Sequence, residues 1–173
     1  MVKTMAHRFL GLISDTHDNL KAVDQALEIF KDHNVKLILH AGDWIAPFTL
    51  KRLAQAGIKI IGVFGNNDGE KRLLLEFAKK FNVDLKTEIA TISINDKNIA
   101  LIHGTSSIIV EALAKSNMFD VVVYGHTHKK ELRRIGKTLL INPGEACGYL
   151  SGEATVAILD VETMDVKFLT LNV

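Results

Sequence analysis

The feature that most constrains this chain is an apolar run, Phe9 to Ile13, that stops abruptly in Ser14-Asp-Thr-His17, an acidic and histidine-bearing turn. Such a run reads as a short buried strand. Asp15 and His17, two residues apart, can point the same way where extended backbone leaves the core. A carboxylate and an imidazole so placed make half of a metal site. Four more strand ends of the same kind follow: Leu39-His-Ala-Gly-Asp43, Phe64-Gly-Asn-Asn-Asp68, Leu101-Ile-His-Gly104 and Tyr124-Gly-His-Thr-His128. Each sets a ligand-type residue near a glycine.

The stretches between these ends define the fold. Asn19 suits the N-cap of a helix whose apolar residues Leu20, Val23, Leu27 and Phe30 keep helical spacing to about His33-Asn34. Lys36 to Leu39 is the next strand, Pro47 opens a helix that Gly57 stops after Ala56, Ile58 to Phe64 is a third strand, and Glu70 to Phe81 a third helix. Alternating strands and helices with nearly unbroken apolar strands predict a parallel sheet covered on both faces. In such sheets ligands gather beyond the carboxyl ends of the strands, where Asp15, Asp43 and Asn66 fall.

The second half reads differently. Glu88 to Ile94 and Asn98 to Ile102 form a hairpin, a helix from Ser106 to about Asn117 precedes a strand from Asp120 to Tyr124, and two further hairpins pair 131–135 with 138–141 and 155–160 with 165–171. The C-terminal third is thus mostly antiparallel. The whole is an α/β chain, a four-layer α-β-β-α sandwich of two mixed sheets with helices on the outer faces. With only two prolines and no linker, residues 1–173 read as one domain.

Composition narrows the function classes. At 173 residues and 47% hydrophobic the chain can bury a substantial core, while a formal charge of +1 gives no polybasic face for nucleic acid or membrane. An acidic substrate must be attracted locally. The residues from Met1 to Arg8 hold no apolar stretch suited to a signal peptide, and no apolar run approaches the roughly 20 residues of a membrane span, so a cytoplasmic location is expected. Cys147 is the single cysteine and reads as a small buried hydrophobe, leaving nitrogen and oxygen to hold any metal.

Asp15, His17, Asp43, Asn66, His103, His126 and His128 are candidate ligands of a kind suited to manganese, zinc, iron, nickel or cobalt. Two divalent cations roughly 3.5–4 Å apart are a known device for in-line attack on phosphorus, provided one carboxylate bridges them. Taken singly, each residue has a plain alternative. A lone D-x-H is more often a capped turn than a ligand pair, and the others read as a turn aspartate, an asparagine beside glycine, a satisfied strand-end histidine and a solvated pair. Their joint recurrence at strand ends carries the weight. His7 and His33 read as surface residues, His40 as packed or supporting, and Asp68 as orienting a neighbour. Trp44 fits a cleft wall, the core or the surface.

Asp15-Thr-His17, Gly42-Asp43, Gly65-Asn-Asn-Asp68, His103-Gly104 and Gly125-His-Thr-His128, in that order, resemble the signature of the calcineurin-like metallophosphoesterases. The short chain and the Asn142-Pro-Gly144 turn resemble their compact prokaryotic phosphodiesterase branch. The resemblance implies that Asp15, His17 and His128 hold one metal, that Asn66, His103 and His126 hold the other, and that Asp43 bridges. A metal-bridging hydroxide is then the nucleophile, manganese the first candidate metal, and Asp43, Asn66 and His103 the catalytic positions. A small phosphodiester is the expected substrate, and a homodimer or homotetramer the expected assembly. Two departures stand out. Asn67 sits where the larger enzymes carry a histidine near the leaving group, and Glu145 sits where the compact branch often has a serine. The alternatives are a scaffold resembling the retromer subunit of the same fold, or a phosphomonoesterase; a repair-type nuclease lacks the basic surface.

Overall fold

The structure is a computed structural model that describes residues 2–3 and 7–173. The expectation that the first eight residues hold no signal peptide falls partly on residues 1 and 4–6, outside those described. Among the described residues no helix is long and apolar enough to cross a membrane.

A short strand β1 (Val2–Lys3) precedes β2 (Phe9–Ile13), α1 (Leu20–Asp32), β3 (Leu37–His40), α2 (Pro47–Ala54), β4 (Lys59–Val63), α3 (Lys71–Phe81) and β5 (Asp84–Lys86). Then come β6 (Ile89–Ile94), β7 (Lys97–Ile102), α4 (Ser107–Lys115), β8 (Val121–Val123), β9 (Lys130–Ile135), β10 (Thr138–Pro143), β11 (Thr155–Asp160) and β12 (Val166–Thr170). Asn19 caps α1 as expected, its side chain accepting from the Ala22 N–H. The second helix stops at Ala54, short of the expected Ala56. β5 went unforeseen because its three residues are half-buried and carry no apolar run.

One sheet runs β12-β11-β2-β3-β4-β5, the other β1-β6-β7-β8-β10-β9. In the first, β2 to β5 pair parallel and β11 is antiparallel to both its neighbours. In the second, β8 is parallel to both β7 and β10, while β6/β7 and β9/β10 are the foreseen hairpins. The antiparallel reading of the C-terminal third is therefore corrected at β10, which forms its hairpin with β9 and also returns parallel beside β8.

Side chains on the strands alternate between two cores, as a pleat of period two requires. Leu10, Leu12, Leu37, Leu39, Ile61 and Val63 point between the sheets, where they meet Ile99, Leu101, Val121 and Val123. Ile13, Ile38 and Ile60 point the other way and pack under α1, α2 and α3 with Phe30, Leu50 and Leu74. A third cluster joins Ala100 and Val122 to Val110 and Ala114 of α4. The parallel sheet is thus covered by helices on one face and by the second sheet on the other. Gly11 is needed for this packing, since a Cβ there would lie 2.9 Å from the Phe30 ring; a fully buried Phe contributes roughly 1.5–3 kcal/mol. Trp44 proves to be core: it is buried, its Nε1–H donates to the Val63 carbonyl at 2.8 Å, and it stacks on His40 with ring centroids 3.4 Å apart.

Candidate metal centre

The strand ends meet at one edge of the sandwich, but not through extended backbone. Asp15 (φ 51°), His17 (φ 42°), Asp43 (φ 59°), His126 (φ 68°) and His128 (φ 61°) all lie in the left-handed region, which corrects the extended geometry expected of Asp15 and His17. For residues with a Cβ that conformation costs about 1–2 kcal/mol each, so the surroundings must impose it. Hydrogen bonds from the Asp15 N–H to the Gly42 carbonyl (3.0 Å) and from the His17 N–H to the Asp43 carbonyl (3.1 Å) hang the first turn on the second. Asp18 completes the tie, its carboxylate accepting from the Ala46 and Thr49 N–H groups at the start of α2. The glycines beside the ligands let turns approach. A Cβ on Gly65 would collide with the Asp43 carboxylate, and one on Gly125 would collide with the Ser14 hydroxyl and lie 2.6 Å from Asp15 Oδ2.

Asp15, His17, Asp43 and His128 each offer one ligand atom, all within 4.8 Å of one another. His128 Nδ1 lies 2.7 Å from Glu145 Oε2, so Nδ1–H donates to that carboxylate and Nε2 turns inward, 3.4 Å from Asp15 Oδ1. Among the described residues, the buried side-chain polar atoms without a partner are Ser14 Oγ, Asp15 Oδ1 and His17 Nε2, all at this point. Buried polar groups are ordinarily paired, so lone pairs converging unpaired on one spot fit a cation. Burial, with Asp43 adding a little, pushes the Asp15 carboxyl above its ordinary value against the pull of the adjacent Ser14 and of His103 and His128.

Next to this cluster lie Asn66, His103 and His126. His103 Nδ1 is 2.7 Å from the Ala41 carbonyl, which can only accept, so His103 Nε2 faces Asn66 Oδ1 at 2.8 Å as a second lone pair. His126 sits edge-on to His103 with ring centroids 5.2 Å apart, and burial followed by the charge of His103 lowers its pKa. Asp43 stands between the two groups, its Oδ2 being 3.5 Å from both His17 Nε2 and His103 Nε2. All seven candidate ligands are therefore brought together, with nitrogen and oxygen donors that suit borderline divalent cations.

Several expectations are sharpened or replaced. His40 is fully buried. It accepts from the Gly42 N–H, so its Nε2–H donates to the Thr16 hydroxyl, which in turn donates to the Asp43 carbonyl. Burial holds its pKa well below the ordinary value, so it supports the Asp43 turn as a neutral ring. Asp68 accepts from the Ile45 and Gly65 N–H groups and fixes the loops on either side of Asp43. Asn67 is exposed yet turned inward, its amide donating to Asp43 Oδ2 at 2.8 Å. His33 is half-buried at the end of α1 with Nδ1 bonded to the Ile29 carbonyl, and His7 is half-buried too. Both stand apart from the centre.

Sequence reasoning marks Glu145 as a departure but misses its role. It is fully buried, and besides His128 it accepts from the Cys147 thiol at 3.0 Å, the Leu150 N–H at 2.9 Å and the Ser151 hydroxyl at 2.6 Å. Burial alone would raise its carboxyl, but the hydrogen bonds from His128, Ser151 and Cys147 outweigh it and hold the group at about 2. At the position where the compact branch often has a serine, this turn grips a histidine.

Comparison with known proteins gives the family. The family model of the calcineurin-like phosphoesterase superfamily domain matches residues 9–164. Phosphodiesterase MJ0936 of Methanocaldococcus jannaschii is 39% identical over 164 residues, 94% of this chain and 99% of its own. Phosphodiesterase YfcE of Escherichia coli K12 is 28% identical over 172 residues, 91% of this chain and 90% of its own. The solved structure of an archaeal phosphodiesterase superposes with a TM-score of 0.89 at 38% identity, covering 94% of this chain and 99% of that one. Vps29 from Entamoeba histolytica, at 20% identity and a TM-score of 0.64 over 95% of this chain and 99% of its own, shares the fold.

Proposed function

The chain belongs to the calcineurin-like phosphoesterase superfamily and is a hydrolase, and from that premise we propose that it cleaves small phosphodiesters with two divalent transition-metal ions, manganese first and nickel, cobalt, zinc or iron next. In this reading Asp15, His17 and His128 would hold one ion and Asn66, His103 and His126 the other, with Asp43 shared. The observation that carries it is the convergence of Asp15 Oδ1 and His17 Nε2, buried and unpaired, beside Asp43 Oδ2. Bound there, the cations would supply a hydroxide nucleophile at neutral pH and neutralise charge on phosphorus.

The chain's own groups prepare the centre. Glu145 and the Ala41 carbonyl each hold an imidazole Nδ1–H and so aim the Nε2 atoms of His128 and His103 inward. Asn67 holds Asp43 through both its backbone N–H and its side-chain amide. Neither Asn67, which has no titrating proton, nor Glu145, ionised and saturated with donors, can protonate a leaving group. Leaving-group quality should therefore dominate: aryl diesters are cleaved faster than alkyl diesters, and monoesters more slowly still. The whole chain, 1–173, acts as one domain, and we assign it a cytoplasmic location and a homodimeric or homotetrameric state, to be read by fractionation and light scattering.

The test is a plot of log kcat/KM against leaving-group pKa for diesters, made with protein of measured metal content and repeated after chelation. A steep slope and loss of turnover on chelation are expected, with two ions restored per chain. A chelator-resistant rate, or no retained metal and no activation by manganese, nickel or cobalt, overturns the metal reading. A slope near zero overturns the account of the leaving group.

A further inference from the structure

Beside the centre lies a cavity of about 410 Å³, within the ~300–1,000 Å³ range of small-molecule sites. His103 and Asn66 form part of its wall, so it opens directly onto the place where the phosphorus would sit. The rest of the wall is mainly apolar, with Phe64, Ile89, Ile102 and Ile109 among its residues. Its charged groups, Lys71 and Glu88, are opposite in sign, and the Lys71 ammonium lies 5.7 Å from the centre of the Phe64 ring. Such a cavity selects by apolar area, not by charge.

Two of these side chains are left in water without a partner. Ile109 on α4 is 50% exposed and Ile89 at the start of β6 is 38% exposed, although neighbouring positions on both elements face packed cores. Concave apolar surface kept open beside polar reacting groups is the pattern of a ligand site.

We propose that this cavity is a subsite for one ester arm of the substrate, an apolar group about one aromatic ring in size, and that it makes the enzyme prefer diesters bearing such an arm over those with only small alkyl groups. The proposal rests on the phosphodiesterase reading above and names its substrate class. Occupant and centre are continuous: a phosphoryl group held near His103 and Asn66 projects one of its two arms along the wall they share with Ile109. Burying the additional area of a phenyl over a methyl group should strengthen binding about tenfold or more.

The experiment uses metal-loaded enzyme and two phosphonates with the same head group, phenylphosphonate and methylphosphonate, as competitive inhibitors of bis(p-nitrophenyl) phosphate turnover, with calorimetric titration as a second readout. Wild type should bind the phenyl compound about tenfold more tightly. Ile109→Glu, which puts a charge on the rim, and Ile109→Trp, which fills the cavity, should each bring that ratio close to one while leaving the methylphosphonate inhibition constant unchanged. Two substitutions at one exposed helix position guard against a folding artefact. A wild-type ratio near one with diester turnover intact overturns the subsite alone, as does a tenfold ratio that survives both variants. Failure of wild type to turn over diesters overturns the phosphodiesterase reading and the subsite with it, while diester turnover with neither phosphonate bound overturns the subsite alone.

Discussion

The two halves of the centre are built from different materials. Around Asp15, His17 and His128 there is a fully buried carboxylate, and a second one, Glu145, stands behind His128. Around Asn66, His103 and His126 no carboxylate belongs to the group itself; a backbone carbonyl stands behind His103, and Asn66 is exposed at the wall of a cavity. The first half is a charged, enclosed trap and the second a neutral, open one. The proposed ions should therefore not be equivalent. One should be held tightly and structurally, while the other should exchange and face the substrate.

Asp43 is the group that touches both halves. Asp43→Asn should lower kcat by about 10³-fold or more with the circular dichroism spectrum unchanged, since an amide cannot neutralise two cations; near-normal turnover would show that the centre has been misassigned. Next in size is the asymmetry itself. Asp15→Asn should weaken metal retention against a competing chelator about tenfold more than Asn66→Ala does, and elemental analysis should find Asn66→Ala retaining one ion per chain. Equal losses would mean the halves are alike.

Glu145→Gln sharpens the contrast, because it touches only the first half. Losing the carboxylate behind a metal-ligating histidine typically costs 10–100-fold in metal affinity, so the tight ion should loosen while the exchangeable one is unaffected. The same variant reports on acid stability. Glu145 is held at about 2 in the folded protein, below its ordinary value, so its stabilisation is present above that ordinary value and is lost as pH falls through it towards 2. Asp15 has the opposite sign: its carboxyl is raised by burial, and its contribution in metal-free protein is lost as pH climbs. Metal-free Glu145→Gln should therefore lose less of its urea midpoint between pH 6 and pH 3 than wild type does. The smallest effect concerns Cys147. Burial, with Glu145 adding, pushes its thiol up to about 12, so native protein should react with iodoacetamide at pH 8 far more slowly than unfolded protein, and Glu145→Gln should narrow the gap.

The parallel strands and their helices could be read from the chain because each is marked locally, by an apolar run, by Asn19 as a cap or by Pro47 at a first turn. The five blocks of candidate ligands stand out for the same reason, being short and ordered. The short edge strand Asp84–Lys86 does not, since its pairing with β4 supplies what its side chains do not. Glu145 could not be interpreted either. Its meaning depends on His128, 17 residues away, and on backbone N–H groups at 150 and 151 that only the folded turn aims at it. The left-handed angles at the ligands escaped because the tertiary hydrogen bonds impose them against local preference.

The pairing of β2 with β11 has a consequence for the order of assembly. As the chain leaves the ribosome, β2 to β5 and their three helices can form the parallel sheet, but the Asp15 turn still has one open side. Its carbonyls at Ser14 and Asp15 accept from the N–H groups of Ala146 and Cys147, and its strand waits for residues 155–160 to close the edge. His126, His128 and Glu145 also arrive late. The candidate metal centre is thus completed late, and a nascent or C-terminally truncated chain can be largely helical and stranded without yet presenting the full set of candidate ligands.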